Sequence, residues 1–424
     1  MRQSLTFSLA LLLTATLEAG NWPAYRGPAG NGVAECREAP IEWNESTNIR
    51  WKTPIHGKAW SSPVVWGGQI WMTSATENGK ELFAVCVDRD SGKLIHDIKV
   101  FDVEKPAFCH QFNSYASCTP VIEEGRVYVH FGSAGTACLD TSTGKVLWER
   151  RDLPCDHFRG PGSSPILCGK HLILTFDGFD HQYLAALDKE TGRTIWKRDR
   201  DIRYSTSDGD YKKAYSTPAV MTVSGQLQIV SPSAEATMAY DPTTGEELWR
   251  FIHGGMNAAA RPVFGNGLIY LTSGHTAQLL ALRVGGRGDV TEKALEWKAT
   301  RGVPTRSSLL LVGDLLFMVN DGGIASCLDS RTGKTRWQER LGGAFSASPI
   351  YCGGHVYFAD EEGKTHVVKA EPVFQRVATN RLNSGCMASP AVVDGAIFLR
   401  TKTHLYRIEA SASSRANSDN KQPK

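Results

Sequence analysis

Six residues of this chain carry side chains able to grip a charged or strongly polar group: His110, Asn113, His157, Arg159, Arg261 and Arg306. They sit in long polar stretches. Residues 102–117 hold His110 and Asn113 beside Ser114 and Tyr115, and residues 152–162 hold His157 and Arg159. Residues 253–261 end on Arg261 and residues 301–306 on Arg306. A guanidinium is a planar fork of donors that matches a carboxylate or a phosphate. Three of them round one opening favour an anionic group, with the amide and the imidazoles adding neutral hydrogen bonds. The plainer alternative for each residue is that it braces its own loop through a surface pair.

Other chemistry has less to stand on. No G-x-S-x-G, His-Glu-x-x-His or phosphate-loop pattern is present. Asp208 and Asp210 with Asn257 offer oxygen ligands, but an Asp-Gly-Asp run reads first as a solvated turn, so no metal site is expected. His157 follows Asp156 directly, and adjacent side chains seldom face each other, so the two are not a catalytic pair. Lys and Arg number 47 against 44 Asp and Glu, a net +3 without basic runs, and nothing points to nucleic acid.

The elements that must position these residues repeat. Residues 138–148 read CLDTSTGKVLW, 186–196 ALDKETGRTIW, 239–249 AYDPTTGEELW and 327–337 CLDSRTGKTRW, with a weaker copy, CVDRDSGKLIH, at 86–96. Copies starting at 86, 138, 186, 239 and 327 lie 52, 48, 53 and 88 apart, the last being two periods of 44. Such a period marks stacked or radially arranged supersecondary units. In each full copy the Asp (Asp140, Asp188, Asp241, Asp329) caps a tight turn and the Gly (Gly144, Gly192, Gly245, Gly333) supplies a positive φ. The Trp (Trp148, Trp196, Trp249, Trp337) then packs one unit on the next.

A second marker, a pair of small or polar residues mostly followed by Pro and a short apolar strand, recurs eight times, at 61–63, 118–120, 163–165, 216–218, 260–262, 306–308, 347–349 and 388–390. Eight starts imply eight four-stranded blades. The last start has room for three strands only, so residues 48–55, with Trp51, are expected to add the fourth and close the ring, sparing it an open sheet edge. Blade five is interrupted by a Gly-rich insertion at 283–289, before Trp297.

The Ala-x-Asp-x-x-Thr-Gly-x-x-x-Trp motif resembles the tryptophan-docking motif of the pyrroloquinoline-quinone (PQQ) repeat family. That family includes the quinoprotein alcohol dehydrogenases and the propeller lipoprotein of the outer-membrane β-barrel assembly machinery. The resemblance spans roughly residues 48–409 and implies an all-β, eight-bladed β-propeller of PQQ-like repeats. It also makes PQQ, a tricarboxylate, a candidate cofactor for the Arg-lined opening. The family's calcium ligands and catalytic Asp find no matching local motif here, and its adjacent-cysteine pair is absent. In such a ring, the loops from one blade's outer strand to the next blade's inner strand share one face, which brings the six polar residues into one funnel.

Residues 1–20 read as a secretory signal peptide cleaved near Ala19-Gly20, with an apolar run at 5–17 too short to span a bilayer. Residues 21–47 form an extension that must pack on the propeller to cover Trp22 and Trp43, 48–409 the propeller, and 410–424 a polar tail expected to be disordered. Among ten cysteines, Cys86, Cys138 and Cys327 fall in a buried repeat slot, and Cys168 and Cys352 in equivalent slots of opposite blades. Cys109 and Cys155, in loops entering adjacent blades, are then the expected disulfide. The functional expectation is an exported, monomeric module binding a small anionic ligand or a protein partner, with a PQQ-dependent dehydrogenase as the alternative.

Overall fold

The computed structural model describes residues 20–410, so the signal peptide and almost all of the tail lie outside the described residues. Eight separate sheets stand in a ring. Blades one to seven occupy 64–102, 121–150, 166–199, 219–252, 263–299, 310–340 and 350–381. The eighth joins Ala391–Val393, Ala396–Arg400 and His404–Ile408 to Ile49–Pro54 from the other end of the chain. Ile49 pairs with Ile408 and Trp51 with Arg407, antiparallel, so the ring closes as the strand count requires.

Burial grades outward through each blade. Second strands such as His171–Asp177 are buried at every position, because neighbouring sheets cover both faces. Outer strands alternate between half-buried and exposed, as in Val146–Arg150, since one face meets water.

The repeat tryptophans form the outer seam between blades. Indole Nε1 of Trp51, Trp148, Trp196, Trp297 and Trp337 donates to the carbonyls of Arg89, Lys189, Pro242, Ser330 and Glu371 in the next blade's turn, at 2.9–3.1 Å. The turn glycine lies flat under the indole. A Cβ on Gly245, which sits at φ +69°, would stand 2.6 Å from the Trp196 ring, so no larger residue fits. The turn Asp holds the hairpin: Asp140 Oδ1 accepts from the backbone N–H groups and the hydroxyls of Ser142 and Thr143, which brings its carboxyl down to about 2. Trp249 departs from the pattern. Blade five has no such turn to receive it, and its Nε1 bonds Gln228 within blade four instead. The insertion supplies Gly288–Asp289, which pairs in parallel beside Trp249 as a fifth strand.

The second marker builds an inner seam. Backbone N–H of Ser62 donates to Thr119 Oγ1, Thr119 to Ser164 Oγ, Ser164 to Thr217 Oγ1, Arg261 to Ser308 Oγ, Ser308 to Ser348 Oγ, Ser348 to Ser389 Oγ, and Ser389 back to Ser62 Oγ. The circuit breaks only between Thr217 and blade five, where Arg261 stands in place of a hydroxyl residue.

The extension before the first strand crosses the bore. Trp22 pairs with Val65 of blade one, Pro23 accepts from Ile122 of blade two, and Ala34 donates to Tyr351 of blade seven. Trp22 is 1 % and Trp43 3 % exposed. One disulfide, Cys36–Cys352, ties this segment to blade seven. This corrects the expected Cys109–Cys155 pair, whose thiols are both free. Cys109 Sγ turns to the Arg159 carbonyl, 3.7 Å away, while Cys155 Sγ sits 3.7 Å from His157 Nδ1. Comparing blade positions could not find the partner of Cys352, because that partner lies outside the repeats.

Candidate functional site

Strands alternate in direction, so the outer-to-inner connections and the turns between second and third strands open on one face. Two connected chambers lie there on the ring axis. The upper one, about 340 Å³, is lined by His110, Asn113, Arg159, Tyr215, Asn257, His275, Arg306 and Asp321 with Phe112 as an apolar wall. The lower one, about 170 Å³, descends to the inner hydroxyl seam and ends on Tyr25. Phe112, Asn113, Tyr215 and Arg306 line both.

Four of the six residues singled out from the sequence meet in this funnel. Asn113 is a tie between loops: its amide donates to the carbonyls of Arg159 and Pro161 at 2.9 and 3.0 Å, and its oxygen accepts from Ser117. His110 Nδ1 accepts from the Phe112 N–H at 3.2 Å, which leaves Nε2 as the protonated nitrogen. Arg159 pairs with Asp210 at 3.3 Å, and Asp210 is also held by Lys213. Burial pushes the Asp210 carboxyl up, but the two cations together outweigh it and hold the group below its ordinary range. Arg306 lies 4.5 Å over the Phe112 ring, with Nε 3.0 Å from Asp321 and one terminal nitrogen 3.4 Å from Glu361.

The other two stand apart. His157 lies behind the funnel wall, accepting from the Ser133 N–H through Nε2, and burial brings it down to about 4. Arg261 is 6 % exposed, and its guanidinium donates to the Tyr25 carbonyl at 2.6 Å. Burial away from any carboxylate brings it down to about 10. It anchors the N-terminal segment rather than lining either chamber.

Sequence reasoning missed Tyr25, Phe112, Asp321 and Glu361. The two carboxylates sit in N-D-G-G and D-E-E-G turns between second and third strands. Strand alternation alone places those turns on the funnel face. Their presence changes the electrostatics, since Arg159, Lys213 and Arg306 are matched by Asp210, Asp321 and Glu361.

Asn257 adds a mark of its own. Its backbone is left-handed, φ +56°, at a buried position, where a non-glycine residue stores strain. Asp177 is buried against Arg200 at 2.8 Å and lines neither chamber. Among the described residues no group of three or more His, Cys, Asp or Glu is placed to hold a metal ion.

The family model described as outer membrane protein assembly factor BamB matches residues 44–338 and again 180–418. A quinohemoprotein alcohol dehydrogenase, ADH-IIG, from Pseudomonas putida is 27 % identical over 183 residues, 38 % of this chain and 24 % of that protein. The outer membrane protein assembly factor BamB of Shewanella oneidensis is 22 % identical over 290 residues, 66 % of this chain and 67 % of its own. Among solved structures, the quinohemoprotein alcohol dehydrogenase of Comamonas testosteroni superposes with a TM-score of 0.65 at 12 % identity, over 94 % of this chain and 82 % of that one. The chain spans from 22 to 49 % of the length of the first curated relatives it matches. The funnel does not suit a calcium-bound cofactor, because among the described residues no group of three or more His, Cys, Asp or Glu side chains is placed to hold the metal.

Proposed function

Because the chain belongs to the PQQ-repeat propeller family, we propose that it is an exported binding propeller that receives a ligand in its axial funnel and carries out no quinone-dependent oxidation. One observation carries this reading: amide, imidazole, phenol, guanidinium and carboxylate side chains from five connections and two turns converge on two continuous chambers that end on Tyr25. A scaffold with no ligand has no need to gather them. Ligand sites of this kind are concave, partly apolar and fixed by a few convergent polar groups, which is the composition of the wall formed by Phe112, Arg306 and Asn257. Export rests on the apolar run at 5–17, and among the described residues no helix is long and apolar enough to cross a membrane.

The test is a titration of the purified protein with PQQ and calcium, followed by dye reduction with ethanol and with glucose. The expected result is no saturable quenching of tryptophan fluorescence and no turnover above the protein-free blank. Saturable quenching accompanied by turnover would replace this reading with an oxidoreductase.

A further inference from the structure

The inner seam uses only half the capacity of its hydroxyls. Ser62, Thr119, Ser164, Thr217 and Ser389 each accept a backbone N–H from the adjoining blade at 2.9–3.0 Å. That bond takes a lone pair and leaves the O–H proton to be donated. Among the described residues none of the five donates it to a protein acceptor, although all are at most 4 % exposed. Buried donors normally find acceptors. All five line the lower chamber.

The remaining seam positions are taken. Ser308 and Ser348 face the Tyr25 hydroxyl at 3.4 and 3.0 Å, and Arg261 occupies the eighth. The lower chamber also receives Arg306 and has no carboxylate side chain in its lining. The pairs made by Arg306 engage Nε and one terminal nitrogen, leaving the other terminal nitrogen for a ligand. Arg306 keeps its pairs with Asp321 and Glu361, so the chamber offers an anion one unengaged terminal N–H group above a rim of hydroxyl donors. The upper chamber differs, because Asp321 faces into it.

We propose that the lower chamber is a carboxylate-binding subsite: Arg306 and the open seam hydroxyls take the anionic end of a ligand whose body fills the upper chamber. This rests on the reading of the funnel as a ligand site and adds the chemistry that selects the ligand. A small organic acid and the free carboxyl terminus of a peptide share that chemistry.

The mature protein is titrated with succinate, with tetra-alanine bearing a free carboxyl terminus, and with their amides, succinamide and tetra-alanine amide. Binding is read from fluorescence, since Trp60 lines the lower chamber, and from the thermal midpoint. At least one carboxylate should bind saturably while its amide does not, and which of the two binds tells the sources apart. Arg306→Gln should weaken that binding roughly tenfold or more, because a charge-assisted bond is lost, with the hydroxyl seam left intact. Thr217→Ser should bind as the wild type does and Thr217→Val more weakly, with the thermal midpoint recorded because valine also removes an acceptor from the seam. If an amide binds as well as its acid, or Arg306→Gln binds like the wild type, the carboxylate inference falls and the funnel reading survives. If no probe of either kind binds, both fall.

Discussion

Seven hydroxyls of one repeat marker lie on the inner rim, and the two sides of that rim lead different lives. Ser62, Thr119, Ser164, Thr217 and Ser389 look into an open chamber. Ser308 and Ser348 are covered by Tyr25. Each of the seven takes the same backbone bond, so the repeat alone does not separate them. The separation comes from a segment outside the repeat. Residues 26–36 lean on blades six and seven, where the Arg26 guanidinium donates to the carbonyls of Leu309 and Pro349 at 2.7 and 3.2 Å and Cys36 is bonded to Cys352. The repeats supply a uniform frame, and the N-terminal segment decides which part of it faces the open chamber.

The frame common to both sides breaks first at its outer seam. Trp196→Ala removes an indole packed on Gly245 and bonded to Pro242, and is expected to cost about 3–5 kcal/mol in urea unfolding. A loss below about 1 kcal/mol would mean that the indoles do not hold blades together.

The covered side alone is probed by Cys36→Ser. Removing a native disulfide typically costs about 2–4 kcal/mol. The expected signs are that loss together with faster proteolytic cleavage within 22–40, at unchanged carboxylate binding on the open side. Cleavage elsewhere in the ring would contradict the division.

Acid acts on both sides. Burial lowers His130 to about 3 and His157, His253 and His366 to about 4, from an ordinary 6.5. The unfolded chain binds more protons than the folded one between those values, so this stabilisation is complete above about pH 6.5 and is lost as pH falls toward 4. Urea midpoints at pH 7, 5.5 and 4.5 should fall in that order, and equal midpoints would show that these imidazoles charge without cost.

The smallest effect sharpens the comparison most. Tyr25→Phe removes the hydroxyl and its two contacts, about 0.5–1.5 kcal/mol for each, and frees the hydroxyls of Ser308 and Ser348. Carboxylate affinity should be unchanged or tighter, and a weaker affinity would mean that the Tyr25 hydroxyl is itself part of the subsite.

Most of the fold was legible because repeats announce themselves. Three of the four repeat indoles docked on the next turn, the eight strand starts and closure by 48–55 all follow from spacing and strand count. The exceptions are where the repeat lapses: blade five lost its turn, so Trp249 turned inward and the insertion became an extra strand. The site was legible in part. His110, Asn113, Arg159 and Arg306 converge because their loops share a face. Arg261 went astray because it occupies a rim position in a seam of hydroxyls, where its only reach is to Tyr25. The disulfide and Tyr25 were out of view because residues 21–47 have no period from which a location can be inferred. In the sequence the small-polar marker reads only as a strand start, which says nothing of its bonds to backbone N–H or of its protons.

The claim on which the rest depends is that the open hydroxyls and Arg306 form one receiving floor. A crystal structure of the mature protein saturated with whichever of succinate and tetra-alanine binds it tests it most directly. The account predicts a carboxylate in the chamber of about 170 Å³, in contact with Arg306 and with hydroxyls drawn from Ser62, Thr119, Ser164, Thr217 and Ser389. A ligand carboxylate found only outside that chamber would contradict it.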